Sequence, residues 1–194
     1  MKTKFILLIT FLVFQFNYCY SQCAGEERWE EKVLTDSASK DIDFTASTEY
    51  TKIQDIREIE HESVGDDDKR KDIEFKTVEI KCKIKKYKFV GGKKGDNDYH
   101  VVIFPVGKPE MTMVAEIPDP TCDNVKSSKY KNKYKKARKF IDTHSTMRIG
   151  SSQWFGMEDR TYTIYGVLFR DQKHGVQPEQ APNFIEIHPI LNIK

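Results

Sequence analysis

Near the C-terminus Asn183, Ile185 and Ile187 alternate with Phe184, Glu186 and His188. Alternation of this kind describes a strand and puts Glu186 and His188 on one face, roughly 7 Å apart along it. The preceding loop, residues 170–182, carries Arg170, Asp171, Lys173 and His174. Folded back over the strand, it would bring Asp171 or His174 to Glu186 and His188. Imidazoles and carboxylates in that arrangement hold a divalent metal ion or act as acid and base. The plain alternative is structural, with Glu186 and His188 pairing with each other or with a neighbouring strand, which is the commoner use of a Glu-x-His alternation. Pro189 cannot donate to a ladder, so His188-Pro189 reads as a strand edge.

A second polar group lies in the loop over residues 91–98, where Lys93, Lys94, Asp96, Asn97 and Asp98 follow Gly91-Gly92. Such a loop is solvated by default, yet its residue types suit an anionic ligand. His100 lies opposite Tyr99, beside Val102 and Phe104. It contacts ligand if that face is a groove and is a satisfied buried imidazole if the face is core; its apolar company favours the second. The residues expected to touch a ligand are thus Lys93, Lys94, Asp98, His100, Arg170 and Asn183. Tyr87, Phe89, Tyr99, Tyr162 and Tyr165 could stack on bases or sugar rings, although strand aromatics more often pack. Eight basic residues over 126–139 would make a phosphate-binding face, or the solvated side of a helix. Asp66-Asp67-Asp68 lacks the alternating spacing and glycine of a calcium loop and reads as a solvated turn. Phosphate-loop, zinc-finger and nucleophile-elbow motifs are absent.

The elements that must position these groups follow from hydropathy patterning. Residues 74–90 alternate with Val78, Ile80, Cys82 and Ile84 on one face, and then the phase slips so that Tyr87 and Phe89 carry the apolar side. A slip of one residue inside a long strand implies a β-bulge. Strands follow over 99–104 and 111–117, then a helix capped by Ser127 or Ser128 with Tyr130, Tyr134, Ala137 and Ile141 on its apolar face. Two further strands cover 160–169 and 184–193. Three strands, a helix and two strands, with the first strand long and bulged, is the order of a small closed five-stranded barrel of the oligonucleotide/oligosaccharide-binding (OB) type. The expected fold class is therefore mainly β, an OB-like barrel over 74–194, preceded by an N-terminal extension over 22–73 packed on it.

Residues 1–21 read as a secretion signal, with Lys2 and Lys4 before a short apolar run that is too short to span a bilayer. Cleavage before Gln22 is preferred over lipid attachment at Cys23, and a released or periplasmic protein is expected. The 194-residue chain has 32 basic and 30 acidic residues. Without Lys2 and Lys4 the two signs balance, which weighs against gripping nucleic acid by bulk charge. Hydrophobic residues at 38% suffice for one core and exclude disorder throughout. Past the signal, Cys23, Cys82 and Cys122 remain, an odd number that implies one disulfide and a free thiol, or an intermolecular bridge. Because Cys82 falls on the apolar face of the first strand, Cys23 is left to pair with Cys122. That bond would stabilise the fold by about 3 to 5 kcal/mol.

Glu27-Arg28-Trp29, residues 98–102 (Asp-Tyr-His-Val-Val), residues 116–122 (Glu-Ile-Pro-Asp-Pro-Thr-Cys) and the closing stretch 181–190 together resemble a family of secreted bacterial proteins to which no reaction is assigned. The resemblance covers nearly all of the chain past the signal and implies export and a single β-rich domain. Residues 177–180 depart from it, being longer than the family's tight glycine-containing connection. Three functions fit this reading: a binding module for an oligomeric or anionic ligand, such as an oligonucleotide or oligosaccharide; a metal-dependent, nuclease-like hydrolase using Asp171, His174, Glu186 and His188; or a structural or assembly protein.

Overall fold

A computed structural model describes residues 27–46, 48–91, 96–173, 175 and 177–194. The signal segment, Cys23, Lys93, Lys94 and His174 lie outside the described residues. Seven strands form one sheet: β1 (Thr77–Val90), β2 (Asp98–Phe104), β3 (Met113–Ile117), β4 (Ser145–Arg148), β5 (Phe155–Met157), β6 (Tyr162–Arg170) and β7 (Ile185–Ile193). Five of them run in the order β2-β3-β7-β6-β1, and β1 pairs back onto β2, closing a barrel. All ladders in the barrel are antiparallel except β3 with β7, which is parallel around Ala115 and Ile187. The expected OB-like barrel, with its helix between the third and fourth barrel strands, is the observed architecture.

The bulge falls between Ile84 and Lys86, where the β1–β2 register shifts. Before it Val78, Ile80, Cys82 and Ile84 face the core; after it Tyr87 does. This slip bends β1 enough to serve both β6 and β2. Val101, Ile103, Met113, Ala115, Ile117, Ile185 and Ile187 complete the interior. Burying one such side chain contributes about 1.5–3 kcal/mol.

The helix α3 (Lys131–His144) starts two or three residues later than a cap at Ser128 or Ser127 predicts, because residues 120–129 form a chain of turns instead. Ser128 does not cap it; the N-cap is Tyr130, and Ser128 Oγ accepts from the Tyr130 N–H at 3.2 Å. Its apolar face, Tyr134, Ala137 and Ile141, is buried as expected. Arg138 donates to the Pro118 and Ile117 carbonyls at 3.0 Å each, tying α3 to the end of β3.

The hairpin β4–β5 was not foreseen. It continues the sheet beyond β1 through a single pairing, Tyr87 with Phe155. Pro189 is also placed differently from expectation. β7 lies between β3 and β6, and Pro189 falls where the β6–β7 register shifts, so the missing donor is absorbed by irregular pairing rather than by an edge. The His188–Pro189 peptide is cis.

The segment before β1 packs on the barrel through α1 (Trp29–Lys32) and α2 (Ile53–Arg57), burying Trp29, Val33, Leu34, Ile42, Ile53 and Ile56. Its chief anchor is polar. Arg28 meets Glu74 through Nη1 at 2.8 Å and Nη2 at 2.5 Å, and it donates further to the Asp68, Lys69 and Arg170 carbonyls. The Glu74 carboxylate also accepts the Lys71 and Arg170 backbone N–H groups. Buried charges persist only when satisfied in this way. Cys82 is a buried free thiol, and Cys122 is buried and not free. No helix among the described residues is long and apolar enough to cross a membrane.

Candidate functional site

The barrel's inner positions are apolar, so alternation sends the intervening residues of β1, β2, β3 and β7 outward. At one end of the barrel those outward residues form a polar row. Lys88 on β1 pairs in register with His100 on β2, and His100 with Glu116 on β3. The parallel pairing of Ala115 with Ile187 then sets Glu116 beside Glu186 and His188 on β7. Asp98, which opens β2, lies on the same face.

His188 is the hub and is fully buried. Its Nδ1 is 3.1 Å from Glu186 Oε1 and 3.3 Å from Glu116 Oε2, and its Nε2 is 3.1 Å from Asp98 Oδ2. The last two atoms are close but misaligned, and neither has a hydrogen-bond partner among the described residues. Asp98 is steadied by its other oxygen, which accepts the Asp119 N–H at 3.2 Å. His100 Nδ1 meets Glu116 Oε1 at 2.6 Å. Above this floor opens a pocket of about 250 Å³ lined by Asp96, Glu116, Asp171, Glu186, His100 and Lys32, among others. Asp96 from the loop after β1, and Asp171, Gln177 and Gln180 from the loop before β7, wall it together with Glu27 and Lys32 of the extension.

The electrostatics follow from crowding carboxylates away from water. Burial, reinforced by the charges of Asp98 and Glu116, pushes Asp96 up to about 7. Burial also pushes Glu186 up to about 8, helped by Glu116 and Asp171. Asp98 is raised by burial despite His188 beside it. Glu116 goes the other way: burial opposes its charge, but His100, His188 and Lys32 outweigh that and hold it at about 2. Burial likewise opposes a charge on His188, yet Asp98, Glu186 and Glu116 lift it to about 10. Lys32, reaching in from α1 to within 3.7 Å of Asp171, stays charged against its burial because Asp171, Glu186, Glu116 and Asp96 surround it. Fully ionised, the five carboxylates would outnumber the surrounding Lys32, Lys88, His100 and His188, and protons held on Glu186 and Asp96 offset that excess at neutral pH.

Of the four residues expected to carry catalysis, Asp171, Glu186 and His188 converge here, and His174 lies outside the described residues. Among the expected ligand contacts, His100 lines the pocket and Asp98 lies beneath it. The apolar face predicted for His100 is in fact outward, and its partner is Glu116. Arg170 and Asn183 are corrected. Arg170 is 3% exposed, donates to the Glu60 carbonyl and faces Glu62, so it braces the extension. Asn183 donates to the Ile56 and Ile59 carbonyls and accepts the Ile185 N–H, pinning α2 to the start of β7. Lys93 and Lys94 lie outside the described residues. Glu116 and Lys32 were not foreseen. A glutamate inside the apolar run Met113–Ile117 is the signal that could have found the first, whereas nothing local marks Lys32.

Among the described residues, Asp98, Glu116 and His188 each offer one ligand atom within 4.8 Å of the other two. Two carboxylates and an imidazole suit manganese or zinc better than calcium. Comparison of the chain with family models, with curated proteins and with solved structures gives no match.

Proposed function

We propose that the barrel is a divalent-cation-dependent binding module, with the cation held by Asp98, Glu116 and His188 at the floor of the groove and Glu186 at its rim. One observation carries this reading: Asp98 Oδ2 and His188 Nε2 are buried 3.1 Å apart, misaligned for a hydrogen bond, in a cluster with Glu116. An imidazole and a carboxylate that approach without pointing at each other have the relation of ligands to a shared ion, which would bind in place of the proton that the carboxylates hold on His188. A cation would also offset the excess of carboxylates in place of protons, and it would let an acidic groove accept an anionic ligand.

A second reading, hydrolysis, is favoured by His100 and Lys32 at the same pocket. An imidazole that can move a proton and an ammonium that can stabilise developing negative charge are what bond cleavage adds to binding. A cation bound there would polarise the substrate and activate water. Export from the cell and the Cys23–Cys122 bond belong to the same proposal.

The test is calorimetric titration of the protein with zinc, manganese, magnesium and calcium in turn. One ion bound per chain is expected for manganese or zinc, with affinity reduced at least about tenfold in Glu116→Gln and His188→Asn. Both variants are checked by circular dichroism. If the wild-type protein takes up none of the four ions, the cluster is a self-contained network of buried charges and the reading falls. Turnover of oligonucleotides that is lost in His100→Ala separates hydrolysis from binding.

A further inference from the structure

We propose that Trp154, carried to the side of His100 by the β4–β5 hairpin, is a stacking platform for single-stranded nucleic acid whose phosphates run along the lysines of β1. The inference rests on the cation reading only for where the strand ends, at the pocket.

The hairpin is an addition to the five barrel strands. The core of the barrel does not need Trp154, which is half-buried on the outside, its ring 5.8 Å from that of His100 at the pocket wall. Lys86 Nζ lies over the indole at 3.9 Å and Lys88 Nζ at 4.8 Å. An indole flanked by two ammonium groups joins a flat apolar surface to positive charge, and a nucleotide presents the complementary pair, a base and a phosphate.

The bulge in β1 extends this arrangement. Before it the outward positions are Glu79, Lys81 and Lys83, the acid lying at the end farthest from Trp154; after it, because the phase slips, they are Lys86 and Lys88, with Lys85 at the slip itself. Strand geometry spaces alternate residues roughly 7 Å apart, so from Lys81 onward the outer face of β1 is a line of positive charge leading to Trp154. Lys83 is engaged by Asp159 and Lys86 by Glu179. Lys81, Lys85 and Lys88 have no ion-pair partner among the described residues. The hairpin tip adds Arg148 between exposed Met147 and Ile149. A neutral oligosaccharide would use the indole but leave the lysines idle; charge complementarity therefore selects a polyanion with flat bases.

The experiment measures binding of a dye-labelled oligothymidylate to the wild-type protein by fluorescence anisotropy, at several salt concentrations, with and without manganese. Trp154→Ala should weaken binding roughly ten- to a hundredfold and Trp154→Phe much less. Lys88→Gln should reduce the salt slope by about one. Cation affinity is titrated in the same variants and should be unchanged in Trp154→Ala. No binding of the oligonucleotide even at low salt, equal affinity in Trp154→Ala, or binding of a neutral glucan oligomer in its place would each overturn the proposal. Loss of the strand proposal with cation uptake intact leaves the groove reading standing, and oligonucleotide binding without cation uptake does the reverse.

Discussion

At the scale of single residues, the buried ion pair that anchors the extension has the largest expected effect. Glu74→Ala removes the acceptor of Arg28 and of two backbone N–H groups, leaving a buried guanidinium without its partner. Stability should fall by about 3–5 kcal/mol in urea unfolding, with an unchanged slope. Cys82 gives a pH-dependent expectation. Its thiol is pushed by burial from the ordinary 9.0 up to about 12 in the folded state. Above pH 9 the unfolded chain sheds this proton and the folded chain does not, so stability contributed here is complete below pH 9 and lost as pH rises toward 12. Cys82→Ala should flatten that part of the alkaline stability curve relative to wild type. A thiol reagent at pH 8 should find Cys82 only after denaturation. Without reductant, the chain beginning at Gln22 should then show one reactive thiol if Cys23 and Cys122 are joined and three if they are not. Legibility at this scale was uneven. Glu186 and His188 announced themselves by alternating within one strand, whereas Lys32 reaches the pocket from an irregular segment, where no periodicity tells which way a side chain points.

Elements explain why the site is where it is. Gly166 on β6 faces β7 so closely that an added Cβ would lie 2.5 Å from both Ile187 Cγ2 and the Pro189 carbonyl oxygen. Gly166→Ala must therefore push β7 away, costing about 1–3 kcal/mol by overpacking. Because Ile187 separates Glu186 from His188, cation affinity should drop in this variant even though it touches no ligand, which calorimetry would register. The bulge in β1 was legible because a one-residue slip inverts the apolar pattern of everything after it. The hairpin β4–β5 was not, since strands of four and three residues are too short for alternation to stand out, and β4 begins directly where α3 ends. The helix start was misplaced because Ser127 and Ser128 have the right chemistry for a cap, while the turns over 120–129 hold them short of the helix.

For the whole molecule, the barrel and its extension share one core, and any ion in the groove bears on all of it. At a free concentration one hundred times its dissociation constant, a cation that binds only the folded state adds about 2.7 kcal/mol. For a domain of this size the melting temperature should rise by about 5 to 10 °C. A chelator should reverse the rise, and Glu116→Gln should show little of it. Differential scanning calorimetry at fixed protein concentration reads both. The closed barrel was legible as an order of elements; which end of it would collect the acids was not, because that depends on the parallel contact between β3 and β7.

That contact has a consequence in time. Glu116 finds His100 as soon as β2 and β3 pair, but it meets His188 and Glu186 only when β7 has slid in beside β3, so a chain in which that strand is still undocked would lack the assembled cation site. Capture of a luminescent or paramagnetic ion in a rapid-mixing experiment should therefore lag behind early secondary structure and mark the moment of closure, in keeping with the slowness of long-range pairings.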